Sequence, residues 1–197
     1  MNTPNKLTLL RVLMIPVFMA VFLLVDAPWG PLIAAAIYAI ASATDAIDGH
    51  LARKNNQVTD FGKFLDPLAD KMLVITALVL LQHQGLIHPL ITVIIIAREL
   101  MVTSIRLVAA SGGKVIAAGW WGKAKTVTQM IATLLLMVEP ALLGEAEFAW
   151  SVPFLGGAAP ETTAVFGSAL MLLATLLTLI SGTEYLVKNW KYLDYRK

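Results

Sequence analysis

Asp45, Asp48, Asp66 and Asp70 stand in one stretch, DAIDGHLARKNNQVTDFGKFLDPLAD, which begins at Asp45 and ends at Asp70. The first two are three residues apart and the last two four apart, so on helices each pair shares a face. The loop predicted between them, 53–65, is short. The two helices are therefore expected to be antiparallel neighbours whose ends bring the four carboxylates together. Gathered without a partner, such groups repel, and an Asp at the centre of a bilayer costs about 2.5–3.5 kcal/mol. A divalent cation resolves the conflict, because Mg2+ and Mn2+ prefer carboxylate oxygen and suit phosphate chemistry. The chain has no cysteine, which removes thiolate metal sites and disulfides. Asp45, Asp48, Gly49 and Ala52 follow helical spacing, so the acidic face is also a small-residue face that a ligand can approach closely. The structural alternative is a set of solvated helix ends, with Asp66 before Pro67 as an N-cap.

Cations accompany the acids. Arg53 lies one turn beyond the first pair, and Lys63 precedes the second. Arg98 interrupts the apolar run IIIAREL, Arg106 follows about two turns later on roughly the same face, and Lys123 and Lys125 begin a later helix. Metal-bound acids facing such groups suit a ligand with several phosphates. Lys123 and Lys125 serve equally as interfacial anchors. Glu99, adjacent to Arg98, is expected to point elsewhere on the helix and leave Arg98 to another partner.

These residues need helices to carry them, and the composition supplies apolar ones. Of 197 residues, 58% are hydrophobic and 14% charged, and the mean hydropathy is +0.75. Soluble domains carry about 25% charged residues. The pattern predicts an all-α polytopic membrane protein, one domain over 1–197, with helices at 7–25, 31–52, 67–82, 89–109, 124–143 and 163–187. Arg11 within the first apolar run and the lack of a small-residue cleavage site argue against a removed signal peptide. Lys6 and Arg11 suggest that the first turns lie along the interface. The segment 144–162 reads as an exposed loop. None of the 15 Lys and Arg residues falls in the connections 26–30, 83–88 or 144–162, whereas Asp26, Glu145, Glu147 and Glu161 do. The positive-inside rule then places both termini and the ends of helices two and three in the cytoplasm, with six transmembrane helices.

The motif resembles that of the CDP-alcohol phosphotransferase family, D-x2-D-G-x2-A-R-x8-G-x3-D-x3-D, met here at Asp45, Asp48, Gly49, Ala52, Arg53, Gly62, Asp66 and Asp70. The stretches NTPNKLTLLR, IIIAREL with SIRL, and GKAKTVTQ are similar to the branch that joins CDP-diacylglycerol to sn-glycerol 3-phosphate, forming phosphatidylglycerophosphate and CMP. The resemblance implies that Asp45, Asp48, Asp66 and Asp70 hold one or two ions of Mg2+ or Mn2+. It implies that Asp70 is also the general base, and that Gly49, Ala52, Arg53 and Thr59 line the nucleotide pocket. Arg98, Arg106, Lys123 and Lys125 would take the acceptor phosphate, on charge and motif context. It further implies a homodimer in a bacterial cytoplasmic membrane, with no nucleic-acid partner. Other acceptors in the family include inositol phosphate, serine, choline and phosphatidylglycerol; a neutral acceptor has little use for so many cations. The reading from a different class, a Na+ or H+ carrier, lacks acids along the other half of helices two and three.

Overall fold

The computed structural model describes residues 3–25, 27, 29–54, 60–111, 116, 119–143 and 165–190, with the side chains of 3–7, 45–54, 60–67, 70, 111, 140, 143 and 165 excepted. Within these residues the chain is all helical and contains no strand: α1 (Thr3–Leu24), α2 (Gly30–Lys54), α3 (Asp60–His83), α4 (Pro89–Ser111), α5 (Trp120–Leu143) and α6 (Val165–Asn189). The expected loop 144–162 lies outside the described residues.

Five of the helices begin within four residues of the expected positions. α3 differs, starting at Asp60 rather than 67 and carrying Pro67 inside it. Its first turns, DFGKF, are half polar, and a boundary drawn from hydrophobicity does not register them. The connection from α2 consequently shrinks to 55–59, and the two helices pack together as neighbours.

Local chemistry fixes the turn from α3 to α4. Gly85 has φ +75°, the left-handed conformation that ends many helices. The amide of Leu86 donates to the Leu81 carbonyl at 2.9 Å and that of Gly85 to Gln82 at 3.0 Å, the paired bonds of a Schellman cap. Three residues later His88 caps α4: its Nδ1 accepts from the Leu90 amide at 3.1 Å, and Pro89 takes the first helical position, where its missing N–H costs nothing.

α1 packs on α2 and α3, α5 on α2, α3 and α6, and α4 on α3 and α6. One core runs through the bundle, with Phe18, Tyr38, Leu78, Leu81, Ile95, Leu136 and Met171 almost fully buried. The rings of Phe18 and Tyr38 meet at 5.9 Å between centroids and join α1 to α2. Arg11 is 1% exposed, and its Nε donates to the Ala41 carbonyl at 3.2 Å. It is thus a buried tie between α1 and α2, its guanidinium reaching a main-chain acceptor.

α5 and α6 approach closely at Gly167. A Cβ there would stand 2.9 Å from the Leu136 Cγ and 3.0 Å from the Leu136 amide nitrogen. The Gly167 amide also donates to both carboxylate oxygens of the buried Glu139, at 3.2 and 3.1 Å. Gly167→Val is therefore expected to lower stability by about 1–3 kcal/mol through overpacking. Unfolding of the detergent-solubilised protein measures this; an unchanged transition would mean that the two helices are not held at this distance.

Candidate active site

The backbone of Asp45 and Asp48 lies in the last turns of α2, and that of Asp66 and Asp70 in the first turns of α3. The acid-bearing segments thus belong to adjacent helix ends joined by five residues, 55–59. The side chains of these aspartates, of Gly49, Ala52, Arg53 and Lys63, and the whole of Thr59 lie outside the described residues. Among the described residues no group of three His, Cys, Asp or Glu is placed to hold a metal ion.

Just beyond the aspartates, charge is concentrated inside the bundle. Glu99 of α4 accepts from Lys71 Nζ of α3 at 3.0 Å, from Arg98 of α4 at 2.9 Å and from Lys125 Nζ of α5 at 2.5 Å. The side chains of Lys125 and Arg98 are 3% and 12% exposed. The Arg98–Glu99 pair corrects the expectation that adjacent residues must diverge. Their Cβ atoms do leave the helix in different directions, but the long guanidinium turns back far enough to meet the carboxylate. Among the described residues three cations surround one acid, two more positive than negative charges.

Arg98 extends from this cluster toward α6. Its Nη2 donates to the Ser181 hydroxyl at 3.0 Å. Two glycines leave room for it: a Cβ at Gly182 would stand 3.0 Å from the Arg98 Cγ, and one at Gly122 would stand 3.5 Å from its Nη2. Arg106, two turns on, donates through Nε to the Tyr185 hydroxyl at 3.3 Å, and its guanidinium carbon lies 5.6 Å from that ring's centre, within cation–π range.

Two cavities flank the cluster. The first, about 210 Å³, is lined by Ser42 of α2, Lys71 and Val74 of α3, Glu99 of α4, and Lys125 and Gln129 of α5, with Leu78, Ile95 and Met130 among its apolar walls. The second, about 360 Å³, is lined by Arg98, Arg106, Gly122, Ser181, Glu184, Tyr185 and Lys188. The sequence-derived cations are therefore divided. Arg98 and Arg106 share the second cavity, Lys125 lines the first, and Glu99 links Arg98 to Lys125. Lys123 is exposed at the start of α5 and lines neither.

Sequence reasoning passed over Lys71, Ser181, Tyr185 and Gln129. Ser181 and Tyr185 belong to SGTEY, a polar break in the apolar run of α6, and that break is a readable signal. Gln129 had a similar one, standing with Thr126 and Thr133 on a single helical stripe of α5. It is 2% exposed, and neither its Oε1 nor its Nε2 has a hydrogen-bond partner among the described residues. A buried amide left in that state costs about 1–3 kcal/mol per unsatisfied group.

Comparison with known proteins sets this geometry in context. The family model described as CDP-alcohol phosphatidyltransferase matches residues 1–180. A Bacillus subtilis protein named CDP-diacylglycerol–glycerol-3-phosphate 3-phosphatidyltransferase is 40% identical over 98% of this chain and 97% of its own length. Proteins of the same name from Pseudomonas fluorescens and Escherichia coli K12 are 39% and 40% identical, over 100% and 94% of this chain and 95% and 93% of their own lengths.

The ion cluster makes a stability prediction of its own. Glu99→Ala strands Lys125 and Arg98 without their carboxylate, and breaking a buried pair in this way costs about 3–5 kcal/mol. Glu184→Ala removes the partner of Lys188, whose side chain is 70% exposed, and is expected to cost under about 1 kcal/mol. Parallel unfolding of the two variants in detergent checks the contrast; equal losses would mean that the Glu99 cluster is solvated like a surface pair.

Proposed function

The chain belongs to the CDP-alcohol phosphatidyltransferase family, and from that footing we propose that it transfers the phosphatidyl group of CDP-diacylglycerol to sn-glycerol 3-phosphate, giving phosphatidylglycerophosphate and CMP. One observation supports the acceptor beyond the likeness to relatives. Among the described residues, the buried cluster of Lys71, Arg98 and Lys125 around Glu99 has two more positive than negative charges. A phosphate monoester matches that excess, and a neutral alcohol does not.

The proposed setting is the bilayer. The helices have 22–25 residues and are therefore about 33–38 Å long, enough for a hydrocarbon core of about 30 Å. Among the described residues, Phe166–Asn189 alone meets length and apolarity criteria for a span on its own, with a mean hydropathy of 1.7. α3, α4 and α5 carry the ion cluster, which lowers their hydropathy while keeping its charges turned inward. Trp120, Leu24, Val187, Phe166 and Leu107 are more than 70% exposed, an outer surface suited to lipid. Six spans, both termini in the cytoplasm and the site on that side follow from this setting and the charge asymmetry of the loops. Pairing of two copies rests on the family likeness alone.

The donor set fits Mg2+ or Mn2+: four carboxylates on adjoining helix ends and no thiolate. Asp45, Asp48, Asp66 and Asp70 would hold one or two ions, which when bound supply positive charge to the phosphoryl oxygens. On the family likeness Arg53, whose guanidinium is a planar fork of donors, would bind the nucleotide, with Gly49 and Ala52 small enough to admit it and Thr59 assigned to the same pocket. Arg98 and Lys125, with Arg106 two turns from Arg98, would hold the acceptor phosphate, while Lys123, which lines neither cavity, stands outside this group. The Asp70 carboxylate takes the proton of the glycerol 1-hydroxyl as that oxygen attacks the β-phosphorus. A new P–O bond forms to glycerol, the bond from that phosphorus to the bridging oxygen breaks, and CMP departs with the oxygen.

Purified protein given CDP-diacylglycerol is expected to release CMP with sn-glycerol 3-phosphate and much less with glycerol, serine or choline; preference for a neutral acceptor would overturn the assignment. Asp70→Asn keeps the side-chain shape and removes the base, so turnover is expected to fall at least about 10²-fold. Turnover close to that of the parent would take Asp70 out of the mechanism. Chelation with EDTA should abolish CMP release and added Mg2+ or Mn2+ restore it, whereas activity that survives exhaustive chelation would exclude the metal.

A further inference from the structure

We propose that Gln129 is a specificity residue, which receives the non-reacting 2-hydroxyl of the acceptor in the cavity between α2, α3, α4 and α5. The inference rests on the function proposed above and deepens it.

Gln129 lines the first cavity, is 2% exposed, and leaves both ends of its amide without a partner among the described residues. Its amide needs one acceptor for Nε2 and one donor for Oε1. A phosphate oxygen or an ester carbonyl offers only an acceptor, while a hydroxyl offers both functions in one group. The cavity of about 210 Å³ has room for a three-carbon polyol.

Placement decides which hydroxyl. Ser42 and Lys71 line the same cavity, three residues before Asp45 on α2 and next to Asp70 on α3. One end of the cavity therefore adjoins the aspartate-bearing turns, where the 1-hydroxyl has to react. Lys125, one of the groups assigned to the acceptor phosphate, lies four residues before Gln129 on α5, about 6 Å of helix rise. A three-carbon phosphate spans that interval. With the phosphate at the cations and the 1-hydroxyl at the aspartates, the 2-hydroxyl is the group left for Gln129.

The test compares two acceptors and needs no variant for its first step. 3-Hydroxypropyl phosphate keeps the phosphate and the primary hydroxyl of glycerol 3-phosphate and lacks the 2-hydroxyl. A site built to hydrogen-bond a hydroxyl rejects the analogue without it strongly, so the parent protein is expected to prefer glycerol 3-phosphate by at least about 10²-fold in kcat/KM. In Gln129→Met, similar in length and without the amide, the preference should collapse to within about threefold. The collapse should come from loss on glycerol 3-phosphate, with the KM for CDP-diacylglycerol unmoved. Equal use of the two acceptors by the parent overturns the proposal, whether or not the variant folds, and means that the cavity holds only water. A preference that persists in both Gln129→Met and Gln129→Leu overturns it equally. A parent protein that turns over neither acceptor overturns the proposed function itself, and this inference with it.

Discussion

A carboxylate shared by three cations inside an apolar bundle is the constraint from which the rest of this structure can be reasoned. Glu99 is 82% removed from solvent and meets Lys71, Arg98 and Lys125 from three helices. Desolvating four charges is costly, and burial is tolerable only where geometry and hydrogen bonds satisfy them. That requirement sets α3, α4 and α5 against one another at this level. It also explains features on α6: Gly182 leaves space for the Arg98 stem, and Ser181 gives its guanidinium an oxygen. Glycine in a helix is locally unfavourable, and here the space it leaves admits the charge. Among the described residues the cluster has two more positive than negative charges. A dianionic ligand would complete it.

The aspartates and the cations divide the work by helix. α2 and α3 carry the acids at their joined ends, and α4, α5 and α6 line the cavity that holds Arg98, Arg106 and Lys188. Lys71 connects the halves, next to Asp70 in sequence and in contact with Glu99 in space. In phosphoryl transfer most of the catalytic gain comes from positioning and electrostatic stabilisation. An ion network one residue from the proposed base is suited to that demand. The apolar depth beyond it, closed by Leu78, Ile95 and Met130 and broken by one buried amide, gives the site a place where small differences between acceptors can be felt.

Much of this was legible in the sequence, for identifiable reasons. Long apolar runs located the helices, because hydrophobicity is a property of the residues themselves. The acid motif and Arg98 stood out because charge in such runs is rare. The start of α3 was missed because its first turns are polar and Pro67 looked like a beginning. The Arg98–Glu99 pair was missed because helical spacing describes Cβ directions and says little about where a six-bond side chain can curl. The burial of Arg11 against the Ala41 carbonyl was not legible, because it depends on how α1 meets α2. Gln129 carried a weak signal, since an isolated amide in an apolar helix acquires meaning only when its surroundings show that nothing pairs with it.

The central claim is that the buried cationic excess is a phosphate site. Isothermal titration calorimetry of the purified protein in detergent, with sn-glycerol 3-phosphate and with glycerol as separate titrants, tests it without requiring turnover. The account predicts saturable one-to-one binding of glycerol 3-phosphate that is lost in Arg98→Met, and no measurable binding of glycerol. Equal binding of the two titrants, or unaltered binding of glycerol 3-phosphate by Arg98→Met, would contradict it.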